Sequence, residues 1–246
     1  MLRPTLIILH TGGHHMQAKD IFLLVSGKLA DLEPGLEKRW PWEKVDSRIS
    51  LVDIFNSGLR QIALNRPDST AITEKIKLQT GVRQLIPSPA IHSSSKKALS
   101  LIELIRNLGD DGETPGAPIF IASRDAMSAY NWGVSGSEVD NYAYDYKLNP
   151  QVYLVYPGVS ESADVWVEAT YSAEPTPIAT SNDTFPIPDT FAGPMMHWML
   201  YEIFCGDNSQ SNMARAQHHM TAFYQALGVK LKSDLFFPVQ IAQQGA

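Results

Sequence analysis

A single cysteine, Cys205, stands in 246 residues. An intrachain disulfide is therefore excluded, and so is a zinc site built on several thiolates. Long apolar runs are missing as well. No stretch approaches the ~20 residues that cross a bilayer. The apolar opening Leu6 to Leu9 gives way at once to Thr11, Gly12, Gly13, His14 and His15, too short for the core of a secretory signal. The chain is expected to be soluble and made in the cytoplasm. Charged residues are sparse, at 19%, while hydrophobic residues reach 44%, enough for a packed core. A subunit that hides surface in its neighbours needs less charge than a solvated monomer, so this balance points to an oligomer. Concentrated positive charge is absent: 20 Lys and Arg face 26 Asp and Glu, for a net −6, and the compact basic spots are Lys38-Arg39 and Lys96-Lys97. A protein that grips phosphates needs a dense positive face, which this sequence lacks.

Motifs that would carry chemistry are equally thin. His10, His14 and His15 could bind a metal, but no carboxylate sits at ligand spacing, and a polar turn is the simpler reading. His218 and His219 are adjacent on an expected helix and point about 100° apart, so they cannot share a metal. His197 stands alone. Gly133 to Ser137 approaches a nucleophile elbow without its second glycine. Cys205 ends a helix, where the dipole disfavours a thiolate. No phosphate-binding glycine loop appears. Asp110-Asp111 reads as a glycine-rich turn, and Asp140 and Asp145 flank a tyrosine-rich strand without a spacing that defines a catalytic pair. Trp132, Tyr142, Tyr144, Tyr146, Tyr153, Tyr156, Trp166 and Tyr171 crowd the middle of the chain. They could stack sugars or bases, but Lys147 is nearly alone beside them, so core and interface packing is the expectation. No catalytic, cofactor-binding or metal-binding residue is assigned, and no enzyme is expected.

The chain divides into three regions. To about Asn65 it reads as helical: Ile21, Leu24, Val25, Leu29 and Leu32 share a stripe, Ser50 and Asp53 form a capping box, and Leu51, Ile54, Phe55, Leu59 and Ile62 make the next stripe. From Thr70 to Ile187 it reads as β. Ile72, Glu74, Ile76 and Leu78 lie on one face, Gln79-Thr80-Gly81 is a hairpin turn, and five further strands follow, with a helical turn at 124–130. Beyond Asp189, Met196, Met199, Leu200, Ile203 and Phe204 form one helical face. Met213, Ala216, Met220, Phe223 and Leu227 form a seam that ends at Gly228. The expected fold class is α+β: an antiparallel helical bundle from both chain ends with an inserted antiparallel β domain. The bundle spans 1–66 and 187–233, the β domain 67–186, and a tail 234–246. Leu51, Phe55, Met199, Ile203, Met220 and Phe223 are the expected bundle contacts.

The stretches Phe191 to Asn208 and Asn212 to Gly228 resemble the paired helices of phage adaptor proteins. Leu51 to Pro67, with Asn56, Gln61 and Ile62, is similar to the second helix of that family. Lys77 to Pro87 resembles its signature hairpin, and Ile105 to Gly112 and Tyr144 to Pro157 resemble further strands. The resemblance covers Leu51 to Leu231 and leaves the first 50 residues outside it. It implies a virion structural protein, a head-to-tail adaptor whose own copies form a ring, typically a dodecamer, between the portal protein and a tail nozzle or other tail component. Genomic DNA would pass through its channel without sequence-specific contact. It implies no catalysis and no cofactor, and a C-terminal segment that docks on the portal, which suits Leu235, Phe236 and Phe237. The alternative is a carbohydrate-binding β module of a tail-associated protein.

Overall fold

The computed structural model describes residues 15–30, 39–45, 47–130, 133–206 and 210–228. Helix α1 runs Ala18–Lys28 and buries Ala18, Ile21, Phe22, Val25 and Ser26. Leu24, expected in its stripe, is exposed instead. Helix α2, Leu51–Asn65, begins at the capping box read from the sequence. The Ser50 hydroxyl oxygen accepts the Asp53 N–H, while the Asp53 carboxylate accepts the Ser50 N–H at 3.1 Å. The Ser50 N–H foremost, and then the Ser50 hydroxyl donating to the same carboxylate at 2.8 Å, hold the Asp53 carboxyl below its usual range. All five residues of the expected α2 stripe are buried.

Nine strands follow: β1 Ala71–Lys77, β2 Gly81–Leu85, β3 Ala98–Leu108, β4 Pro115–Pro118, β5 Phe120–Ile121, β6 Ser135–Gly136, β7 Asn141–Tyr144, β8 Val152–Val159 and β9 Trp166–Ala173. Helix α3, Arg124–Ser128, lies between β5 and β6. One sheet has the order β1-β9-β3-β4. The other has the order β2-β8-β7-β5, with β6 paired to β8. Their inner faces share one apolar core that includes Ile76, Leu104, Tyr153, Val155, Val167 and Tyr171. The period-two reading of β1 is correct: Ile76 is buried, and Thr73 and Lys75 face out.

The expected hairpin at Gln79–Gly81 does not exist. β1 pairs with β9 and β2 pairs with β8, so the chain crosses there from one sheet to the other. Gln84 holds that corner. Fully buried, it accepts the Gln79 N–H at 2.8 Å and donates to the carbonyls of Gln79 and Gly81 at 2.6 and 3.0 Å. A corner cannot use ladder bonds for its backbone groups, and one primary amide supplies them instead. The β3–β4 turn is closed by Asp111, which accepts two N–H groups and the Thr114 hydroxyl. These bonds hold its carboxyl down to about 2. Gly112 has φ +67 there, and any Cβ would lie 2.9 Å from the Trp166 ring.

Helices α4, Ala192–Cys205, and α5, Gln210–Ala226, follow the strands. Gly228, at φ +69, terminates the pair as the sequence suggested. The seam on α5 is shorter than expected. Ala216, Phe223 and Leu227 are buried, Met220 is half-buried, and Met213 is 63% exposed.

The expected antiparallel helical bundle carrying an antiparallel β insertion is not the architecture. The described residues form five helices and two sheets of nine strands, with α3 lying among the strands. Pairings β5–β7 and β6–β8 are parallel. On the helix side, α4 is the hub that touches α1, α2 and α5. Non-helical residues complete that core: Ile178, Phe185 and Ile187, with Trp40 and Trp42 packed against it. The reason is geometric. Helices of 11 to 17 residues arranged around one hub leave gaps that their own side chains cannot fill, and the connecting segments supply the missing apolar volume. Asn56 fastens one such segment to α2, accepting the Ile178 N–H at 2.9 Å and donating to its carbonyl at 3.0 Å.

Gly58 marks the closest approach of α2 to α4. A Cβ there would sit 2.6 Å from Met195 Sδ and 2.8 Å from Trp198 Cδ1. The Trp198 indole is pinned because its N–H donates to Ser57 Oγ at 2.8 Å. Gly→Ala in an exposed helix interior stabilises by roughly 1 kcal/mol. Here the sign reverses, and Gly58→Ala is expected to destabilise by about 1–3 kcal/mol through overpacking, read as a lower urea midpoint.

Candidate assembly surfaces

The outer faces of the two sheets differ in chemistry. The first sheet is charged and internally neutralised. Lys75 pairs with Glu113, Lys77 with Asp164 at 2.7 Å and Arg106 with Glu168 at 2.8 Å. Thr73 and Thr170 bond across strands at 2.8 Å. Such solvated pairs add little stability, but they leave those three cations already matched.

The outer side of the second sheet mixes apolar and polar side chains. A cleft of about 620 Å3 lies against it, lined by Arg83, Ile121, Asp145, Asn149, Val152 and Leu154 among others. Beside it, Phe120 and Ile121 on the edge strand are 63% and 70% exposed, and Tyr146 and Leu148 in the β7–β8 connection 61% and 67%. Tyr130 packs against Tyr156 on this side, with ring centroids 4.4 Å apart. Large exposed apolar side chains near a sheet edge suit a protein contact.

The aromatic set read from the sequence divides accordingly. Tyr142, Tyr153 and Tyr171 are buried between the sheets. Burial pushes all three phenols up. They cannot stack a sugar or a base. Trp132 lies outside the described residues. Glu74, on the inner face of β1, is bonded by Ser95 and by the Tyr171 hydroxyl at 2.7 Å. Glu43 and Asp183 likewise accept hydrogen bonds from Ser181 and from the 179–180 backbone. These carboxylates brace loops.

Of the expected helix contacts, Leu51, Phe55, Met199, Ile203 and Phe223 sit in the helix-side core, and Met220 is half-buried. Leu235, Phe236 and Phe237 lie outside the described residues, as do His10 and His14. His15 borders a cleft with residues 185–190. Among the described residues no group of three His, Cys, Asp or Glu side chains could hold a metal ion. No helix among them is long and apolar enough to cross a membrane.

One constellation escaped the sequence reading. His197, expected to stand alone, brings its Nδ1 within 3.0 Å of His219 Nδ1. The two positions are equidistant from residue 208, in the α4–α5 connection, and in a helical hairpin such positions face each other. That symmetry is the signal that would have revealed the pair. Phe204 stacks on the His219 ring at 5.7 Å and 10°, and the Arg215 guanidinium lies 5.7 Å from the centre of the Phe204 ring.

No curated protein matches the chain. A family model described as SU10 adaptor protein matches residues 16–241. The match takes in both sheets and all five helices, and it extends the resemblance of the later segments back to α1. It also covers most of the first 50 residues, which that resemblance did not. The chain therefore belongs to the SU10 adaptor protein family, and it is a phage adaptor: a structural virion component that associates with other head and tail parts.

Proposed function

We propose that copies of this chain close a ring, of twelve by the resemblance, between the portal and the next tail component, around the channel through which DNA passes. The observation that carries the reading is the family match over residues 16–241. The electrostatics support it. A net charge of −6 and outer-sheet cations already paired with carboxylates give passing phosphates little to hold. The exposed Phe120, Ile121, Tyr146 and Leu148 at and beyond the edge of the second sheet support contact with protein. In this reading 1–66 and 187–233 form one unit, 67–186 an inserted unit and 234–246 a docking tail; the two separate apolar cores support the division. The segment holding Ile178 and Phe185 closes onto the helix side across that boundary.

Electron microscopy of the protein mixed with a portal ring tests the proposal. A single-layered ring coaxial with the portal is expected, and monomers that ignore the portal would refute it. The docking role of Leu235, Phe236 and Phe237 has its own test. Truncation after Lys232 is expected to lower portal affinity at least about tenfold, as loss of buried aromatic anchors does. Unchanged affinity would remove that role and leave the ring untouched.

A further inference from the structure

Two neutral imidazoles 3.0 Å apart at Nδ1 must share a single proton there. One ring is the Nδ1–H tautomer and donates; the other offers its Nδ1 lone pair. A first added proton goes to an outer Nε2 and leaves the shared bond in place. A second sets Nδ1–H against Nδ1–H, with two cations in contact.

The surroundings make that second state costly. Burial first, then neighbouring positive charge, depresses both rings, His219 to about 4. The charged and titratable neighbours acting on both rings are Lys28 on α1 and His218 on α5, each basic. Among the described residues no carboxylate acts on either ring. Tyr201 interacts with Cys205, Glu202 and Tyr224, apart from the two rings.

The pair also sits where α5 buries little, beside the Arg215 guanidinium that lies over the Phe204 ring of α4. From Gln210 to His219 only Ala216 is buried. Beyond His219, Phe223 packs on Trp198 with ring centroids 5.2 Å apart, and the Leu227 carbonyl accepts Arg66 Nη1 at 2.8 Å. The far end of α5 is anchored independently of the histidines.

We propose that His197 and His219 form a proton-operated clasp that holds the first half of α5 on α4 while the two rings share one proton and lets it go when both rings become cationic. Because the folded-state pKa values are lowered, the contribution of the clasp is complete above the ordinary histidine range. It is lost as pH falls from about 6.5 toward 4. His92, buried and likewise lowered, adds acid sensitivity of the same sign elsewhere, so the readout must be local to α5.

The test is NMR on the full chain from pH 8 to 4, following histidine ring shifts and amide protection factors. In the wild type, His219 is expected to titrate at least about one unit below the ordinary histidine range. Protection across 210–219 should be lost below pH 5, while 220–226 stays protected. H197Q should move the His219 titration upward. The double variant H197Q/H219Q, whose amides can bond without titrating, should keep 210–219 protected to pH 4. A His219 that titrates in the ordinary histidine range, or one indifferent to H197Q, would overturn the clasp. Equal acid loss of protection in the double variant would do the same. If a variant fails to fold, the wild-type His219 titration and order of protection loss still decide.

Discussion

Replacing Asn107 by leucine is expected to destabilise the protein by about 3–4 kcal/mol, seen as a lower urea midpoint at unchanged m. Asn107 is 1% exposed and lies near the end of β3. Its Nδ2 donates to the Val139 carbonyl at 2.7 Å and the Ala117 carbonyl at 3.2 Å, and its Oδ1 accepts the Val139 N–H at 2.9 Å. A side chain on one sheet thus supplies the strand-like partner for the segment leading into β7 of the other. Leucine fills nearly the same volume, so the cost comes from three backbone groups left without a partner in a site too buried for bulk water. Asn107→Asp should be no better. Its carboxylate keeps the N–H bond but turns oxygen toward two carbonyl oxygens. Thr73→Val, which removes an exposed hydroxyl pair on the outer face, should change stability by less than about 0.5 kcal/mol. A loss below 1 kcal/mol for Asn107→Leu would mean that the two sheets are held by apolar contact alone.

The contrast between Asn107 and Thr73 shows what a sequence reveals. The alternation along β1 and the helical stripe of α2 are local, and both were legible. So was the Ser50–Asp53 box, because a capping serine and its carboxylate lie three residues apart on the chain. The corner at Gln79–Gly81 was not. Polar turn residues before a strand look the same whether the chain folds back on its own sheet or crosses to the opposite one. What decides is the pairing of β1 with β9 and of β2 with β8, partners more than 60 residues away. The two-residue strands β5 and β6 are too short for any period to register, so their parallel pairings had no signal. Ile178, Phe185 and Ile187 fill the helix-side core from an irregular segment where no periodicity exists to be read.

The candidate surfaces follow the same logic. Scarce charge pointed toward shared surface, and the family features in the later helices and strands were readable as a pattern. Which aromatic residues face outward was not readable, since Tyr153 and Tyr146 differ only in strand parity and position relative to the sheet end. The histidine pair needed the hairpin geometry before two residues 22 apart could be matched.

Phe55→Ala carries the largest expected loss on the helix side, about 4–5 kcal/mol. Phe55 is fully buried at the centre of a run of edge-on rings. Its own ring lies 5.6 Å from Phe22 and 5.6 Å from Phe185, and Phe22 lies 5.9 Å from Trp42. Four segments far apart in sequence meet there: α1, the tryptophan-bearing loop, α2 and the stretch before α4. Truncation leaves a cavity that four separate backbones must close together, and it deletes two aromatic contacts besides. Leu64→Ala, on the exposed face of the same helix, should stay within about 0.5 kcal/mol, which separates packing from helix propensity. The variant also tests the two-core reading. Helix-side melting can be followed at Trp198, and the sandwich by the far-ultraviolet strand signal. Two separate transitions in Phe55→Ala would show that the sheets stand without the helices. One coincident transition would show that the segment carrying Ile178 and Phe185 couples the two cores into a single cooperative body.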